Sequence, residues 1–363
     1  MQQIHTRTIK LKCVKNNVLG HIDHGIFMSY NTEPILSVRN LKTYFFVRDG
    51  TIKAVDGVNF DVLPGQTVGI VGESGSGKSV TMRSIMQMVK KPGRIIEGEM
   101  NYRTASTQID LAEVKPNSHK MREIRGAEIA LIPQEPMASF SPLHRVGFQM
   151  IEAIQLHRPL SKEAARQEAI DMLRRVGVPA PEERIDAYSW QLSGGLRQRA
   201  MIALSLICQP SLLIADEPTT ALDVTTQAQV LLLLKELQQE YGMAVILITH
   251  DLGVVAQVAD YVVVMYLGRV MEQGPVEDIF YRPKHPYTQA LLRSMPTVKS
   301  VSREPLPSIR GTVPSPFNRP VGCPFHPRCD HAVAGVCDTK TPELRPVGED
   351  QFASCVLYEE QTT

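Results

Sequence analysis

Gly72-Glu73-Ser74-Gly75-Ser76-Gly77-Lys78-Ser79 decides how the rest of the chain is read. An apolar run, Thr67–Val71, precedes it, and a helical stretch, Val80–Val89, follows. A buried strand, a glycine-rich turn and a helix start, in that order, make an anion cradle. Glycines let backbone N–H groups turn inward, and the helix N-terminus adds its partial positive charge. The spacing G-x-x-x-x-G-K-[ST] fits nucleotide phosphates: Lys78 reaches the β- and γ-phosphates, and Ser79 offers its hydroxyl to Mg2+. Gly72, Glu73, Ser74, Gly75, Ser76, Gly77, Lys78, Ser79 and Val80 are therefore candidate nucleotide-binding residues. Taken alone, the loop specifies only a bound phosphate.

Downstream, Leu212–Ala215 is an apolar strand that ends in Asp216 and Glu217. Ligands of open α/β sheets bind outside the carboxyl ends of the strands. Asp216 is expected to hold Mg2+ there, and Glu217 to polarise a water for attack on the γ-phosphate. Similar runs at Glu128–Ile132 and Ala244–Thr249 read as further buried parallel strands. Ser161–Gly177 reads as a helix capped by Ser161 and stopped by Gly177, with apolar positions at 165, 169, 172, 173 and 176. Tyr261–Tyr266 and Val270–Gln273 flank Leu267-Gly268-Arg269 as a hairpin. The fold class is α/β.

Leu192-Ser193-Gly194-Gly195 precedes an apolar helical stretch, Ala200–Cys208. A serine hydroxyl, two glycines and a helix N-terminus make a second anion site. One protomer has no use for two γ-phosphate cradles on one nucleotide. A face-to-face dimer resolves this, each protomer closing its second cradle over the other's ATP.

These motifs resemble those of the ATP-binding cassette (ABC) ATPases. Gly72–Ser79 looks like their Walker A motif, Leu212–Glu217 their Walker B, and Leu192–Gly195 their signature. Gln134 looks like the Q-loop glutamine, a Mg2+ and water ligand, and Ala221-Leu222-Asp223 like the D-loop. His250 looks like the switch histidine at the γ-phosphate. The resemblance implies a RecA-like P-loop core with an antiparallel β subdomain and a helical subdomain, and assigns Glu217, His250, Gln134 and Lys78 to catalysis. It also implies an aromatic stacked on adenine, for which Tyr44, Phe45 and Phe46 are candidates, the count from Asn40-Leu41 favouring Tyr44 or Phe45. Tyr281–Leu292 and the surrounding text resemble the ATPases of oligopeptide/dipeptide importers. That family implies ATP hydrolysis coupled to solute import. Its expected partners are a second, paralogous ATPase, two membrane permease subunits and, indirectly, a periplasmic or extracellular solute-binding protein. Such a subunit lies peripherally on the cytoplasmic face of the cell membrane. Dipeptides or oligopeptides lead as cargo, with nickel and oligosaccharides as alternatives in the same class. The competing classes are a soluble ABC ATPase of repair or Fe–S assembly and a binding module with a silent ATP site.

Composition sets the outer limits. The 363 residues carry 39 Lys+Arg against 38 Asp+Glu, without the basic excess of a nucleic-acid binder. Apolar runs such as Tyr261–Leu267 are far too short to span a bilayer. Residues 1–33 read as a disordered leader, with Met28 as the functional start. Residues 34–281 read as the nucleotide-binding domain, with its helical subdomain at about 135–195. Proline density then climbs, and 282–363 reads as an extended arm rather than a packed layer.

Four of the six cysteines fall in that arm. Cys323, Cys329, Cys337 and Cys355 are spaced C-x5-C-x7-C-x17-C. Disulfides are disfavoured where a protein meets cytosolic ATP. Zinc sites usually contain a closer C-x2–4-C knuckle, which is absent. Unrelated thiols remain an alternative, and four thiolates are also the ligand set of a [4Fe–4S] cluster. The resemblance to the dipeptide-type ATPases favours the cluster, with a structural role.

Overall fold

Two sheets carry the architecture of the computed structural model, which describes residues 33–134, 139–219, 223–295 and 309–359. The expected leader and Ala221-Leu222 of the expected D-loop lie outside the described residues. The first sheet is antiparallel, in the order β2-β1-β4-β5, from β1 (Leu36–Val47), β2 (Gly50–Val62), β4 (Gly93–Arg103) and β5 (Gln108–Asp110). The second contains β3 (Thr67–Val71), β6 (Ile129–Ile132), β7 (Leu212–Asp216), β8 (Ala244–Ile248) and β9 (Tyr261–Tyr266) as a parallel block. Antiparallel β10 (Arg269–Pro275), β12 (Phe352–Ala353) and β11 (Arg345–Pro346) extend it, giving the order β11-β12-β10-β9-β3-β8-β7-β6.

The parallel strands read as continuous apolar text because both faces are covered. Side chains alternate between faces with a period of two. On β7, Leu213 and Ala215 enter one core and Leu212 and Ile214 the other; on β8, Val245 and Leu247 part from Ala244, Ile246 and Ile248 in the same way. The first core packs against α3 (Val146–His157), α4 (Lys162–Arg175), α6 (Gly194–Leu206) and α7 (Val224–Tyr241). The second joins the antiparallel sheet, α1 (Lys78–Ile85) and α2 (His119–Ile124). α1 is therefore shorter than the expected Val80–Val89 stretch.

The helical subdomain follows its sequence pattern closely. The Ser161 hydroxyl accepts from Ala164 N at 3.2 Å, capping α4, and Ala165, Ala169, Met172, Leu173 and Val176 are all buried. Gly177 ends it at φ +75°. A short α5 (Pro181–Arg184) follows.

The extended arm expected after residue 282 is corrected by the structure. From Glu33 onward the chain forms one unit. α8 (Leu252–Val258), α9 (Val276–Tyr281) and α10 (Pro286–Arg293) precede a loop-rich segment whose β12 pairs with β10. Tyr287, Cys323 and Phe325 bury into a third core with Val262, Val264, Tyr266 and Met271. Each large apolar side chain buried there is stabilising by about 1.5–3 kcal/mol, which holds a proline-rich segment whose own backbone hydrogen bonds are mostly those of short turns. Fully buried Glu272 on β10 ties it down further. Its carboxylate accepts from Lys284 N at 2.7 Å, His285 N at 2.9 Å and Gln351 Nε2 at 2.8 Å. Proline density reported the scarcity of long regular elements after α10 and said nothing of this burial.

Candidate active site

Four neighbouring parallel strands each deliver one element at their carboxyl ends. The glycine loop follows β3, Gln134 follows β6, Asp216 and Glu217 close β7, and His250 follows β8. They surround a cleft of about 740 Å³ lined by Ser74, Gly75, Ser76, Gly77, Lys78, Ser79 and Val80, together with Gln134, Glu217 and His250. That size suits a small-molecule ligand.

The loop needs its glycines. Gly72 stands at φ +149°, and a Cβ there would meet Met265 O at 2.1 Å; Gly77 stands at φ +103°, and a Cβ would meet Ala54 O at 2.4 Å. Any side chain would drive the loop off β9 and β2. Lys78 is buried and donates to Gly72 O at 2.7 Å and Glu73 O at 3.1 Å. Burial lowers its pKa, opposed by the charges of Glu217, Asp216 and Glu73. The ammonium is thus held across the mouth of its own loop.

Asp216, buried behind the cleft, accepts from Ser79 Oγ at 3.2 Å. Burial raises its pKa, and the Ser79 hydrogen bond offsets part of that. A hydroxyl and a carboxylate so paired are oxygen ligands of the kind Mg2+ takes. Glu217 stands at φ +49°, its N–H held by Ile248 O at 2.8 Å. Gln134 Nε2 donates to Glu217 Oε2 at 3.1 Å, and His250 Nδ1 lies 3.2 Å from Glu217 Oε1. The three residues expected at the γ-phosphate are therefore brought into one hydrogen-bonded group.

Phe45 lines the cleft beside Ile52, Lys53 and Ala54, while Tyr44 is absent from its lining. The Tyr44 hydroxyl instead donates to Asp56 Oδ1 at 2.6 Å. Asp56 also accepts from Arg269 Nη2 at 2.8 Å and Arg319 Nη1 at 2.9 Å. Its buried site favours the neutral acid, but Tyr44 and the arginines prevail and hold the carboxyl at about 2. Sequence reasoning missed this knot, and it missed Pro316 and Arg319, which reach the cleft from the C-terminal segment. No spacing rule marks them, because their partners lie more than 200 residues upstream.

Ser193 and Gly195 do not line the cleft. Ser193 is exposed at the N-terminus of α6, its hydroxyl accepting from Leu196 N. The structure leaves this second anion cradle open to the outside.

Cys323, Cys329, Cys337 and Cys355 line one small cavity of about 10 Å³, and all four are free thiols. Burial pushes the Cys323 and Cys355 thiols up to about 11. Among the described residues, no three His, Cys, Asp or Glu side chains are arranged around a single-ion site.

Residues 55–220 match the ABC transporter family, and residues 271–337 match the oligopeptide/dipeptide transporter C-terminal region. The oligopeptide transport ATP-binding protein AppD of Bacillus subtilis is 47% identical over 328 residues, covering 90% of this chain and 98% of that protein. This chain belongs to the ABC transporter ATP-binding subunits. The dipeptide transport ATP-binding protein DppD of Escherichia coli is 45% identical over 321 residues, covering 88% of this chain and 96% of its own. Among solved structures, an ATP-binding cassette dimer in a post-hydrolysis state with ADP and phosphate matches 66% of this chain and 98% of its own length, at 27% identity and a TM-score of 0.59. The ABC subunit is an ATPase, and its parallel block with the antiparallel sheet is the cassette fold. Among the described residues, no helix is long and apolar enough to cross a membrane.

Proposed function

We propose that this ABC ATPase powers the import of dipeptides or oligopeptides, acting with a second cassette and two membrane permease subunits at the cytoplasmic face of the membrane. The C-terminal region shared with peptide-transport relatives supports the cargo class. Exposed apolar side chains on the segment after Gln134 support a membrane partner: Leu143 is 81% exposed and Phe148 51%. Co-purification with polytopic subunits, and uptake of labelled dipeptide that stops when this chain is deleted, test the reading. Unchanged uptake overturns it.

The observation that carries the mechanism is the Gln134–Glu217–His250 group at the open end of the glycine loop. Lys78 and the loop N–H groups hold the β- and γ-phosphates. Ser79, Asp216 and Gln134 would hold Mg2+, which screens phosphate charge and fixes the phosphoryl group for in-line attack. Glu217 accepts a hydrogen bond from the attacking water, and His250 orients that water against the γ-phosphate. Ser193 and Gly195 of each cassette cap the nucleotide bound to the other. Positioning and charge neutralisation then supply most of the rate. Phe45 stacks on the base.

The four thiols around one cavity fit the donor set of a [4Fe–4S] cluster. Cys323, Cys329, Cys337 and Cys355 would hold it as a staple for the C-terminal segment. Absorbance near 400 nm with stoichiometric iron in anaerobically purified protein tests this; zinc without iron refutes it.

A further inference from the structure

Between Cys323 and Cys329 a single 3-10 turn, His326–Arg328, presents one arginine to the glycine loop. Arg328 Nη1 donates to Glu73 Oε2 at 2.6 Å and Nη2 to Glu73 Oε1 at 3.0 Å. This is the paired, parallel geometry that only a guanidinium supplies. The rest of the side chain is fixed from every direction. Nε donates to Arg310 O at 3.0 Å, and Nη1 also donates to Tyr266 OH at 3.2 Å. The guanidinium carbon stands 5.8 Å from the Tyr266 ring centre and 6.0 Å from that of Phe325. Only 5% of the side chain is exposed.

Glu73 is held through three groups. Its carboxylate meets Arg328, its N–H donates to Tyr287 OH at 3.0 Å, and its carbonyl accepts from Lys78 Nζ. Two of these three restraints come from the C-terminal segment. Glu73 sits between Gly72 and Ser74, so its position sets where the loop's N–H groups point. A glycine-rich loop has little stiffness of its own. A loop already fixed in its binding shape avoids the ordering cost when the ligand arrives.

We propose that Arg328 is a positioning residue for the glycine loop, so that the cysteine-bearing segment sets how tightly the nucleotide phosphates are held. The proposal rests on the assignment of this loop to ATP. Arg328 touches no phosphate; it acts through Glu73.

The test measures binding of a fluorescent ATP analogue to the full-length chain for wild type, Arg328→Met, Arg328→Lys, Glu73→Gln and the double variant Arg328→Met/Glu73→Gln. Circular dichroism and thermal melting report folding. Arg328→Met is expected to weaken nucleotide binding about tenfold, or about 1.4 kcal/mol. Arg328→Lys keeps the charge without the fork and falls between. Glu73→Gln weakens binding while leaving every C-terminal side chain in place, so it carries the test if Arg328→Met does not fold. The double variant is expected to bind no more weakly than the weaker single one, because both remove one interaction. Wild-type affinity in folded Glu73→Gln or Arg328→Lys, or additive losses in the double variant, overturn the proposal. Wild-type chain that binds no nucleotide overturns the ATP assignment itself.

Discussion

Glu217 and His250 meet at 3.2 Å across the ends of two adjacent strands, β7 and β8, although 33 residues separate them in the chain. Parallel pairing of Asp216 with Ile248 fixes that meeting. Replacing Glu217 by Gln keeps the shape and an acceptor for Gln134 and removes the proposed general base. ATP binding is expected to stay within twofold of wild type, while turnover falls at least 100-fold, the usual contribution of a positioned general base. Single-turnover hydrolysis beside equilibrium binding checks it.

Ser193 and Gly195 lie outside the cleft of their own chain. Gly195→Asp is therefore expected to leave nucleotide binding by a single chain unchanged. In the assembled transporter it lowers hydrolysis about 100-fold, as loss of a transition-state donor does. Equal loss of nucleotide binding by the isolated chain would contradict a role across an interface.

The two upstream aromatics separate cleanly. Phe45→Ala is expected to weaken ATP binding about tenfold, the scale of a lost aromatic stack. Tyr44→Phe leaves affinity unchanged and lowers the melting temperature, since it removes the 2.6 Å bond to Asp56. Calorimetric titration and thermal melts distinguish the two.

Asp56 predicts a pH dependence. Its folded pKa of about 2 lies below the ordinary 3.8. The stability it contributes is therefore complete above about pH 4 and is lost as pH falls from there towards 2. Asp56→Asn is expected to cost about 2 kcal/mol at neutral pH, less than a fully buried pair because Arg269 keeps solvent contact. The gap between wild type and variant closes on acidification. Urea unfolding at pH 7, 5 and 3 measures it; a constant gap would contradict the assignment.

How much of this the sequence revealed follows from which contacts are local. The glycine loop, the apolar strand before Asp216 and the Ser161 cap are each encoded within a dozen residues, so spacing reveals them. The convergence of Gln134, Glu217 and His250 was legible only through the family pattern, because two separate crossovers, β6 to β7 and β7 to β8, bring them together. Arg328 on Glu73, and Arg319 on Asp56, span more than 250 residues and carry no periodic signal. The same cause misread the C-terminal segment as an arm: its order comes mainly from side chains buried against β9 and β10, Tyr287 of α10 among them.

The structure of the assembled transporter with Glu217→Gln and trapped Mg–ATP tests the central claim most directly. The account predicts two nucleotides at the interface, each held by the glycine loop of one cassette and capped by the Leu-Ser-Gly-Gly turn of the other, with Ser193 in hydrogen-bond reach of a γ-phosphate. Nucleotide bound at Lys78 with Ser193 remote from any phosphate would contradict it.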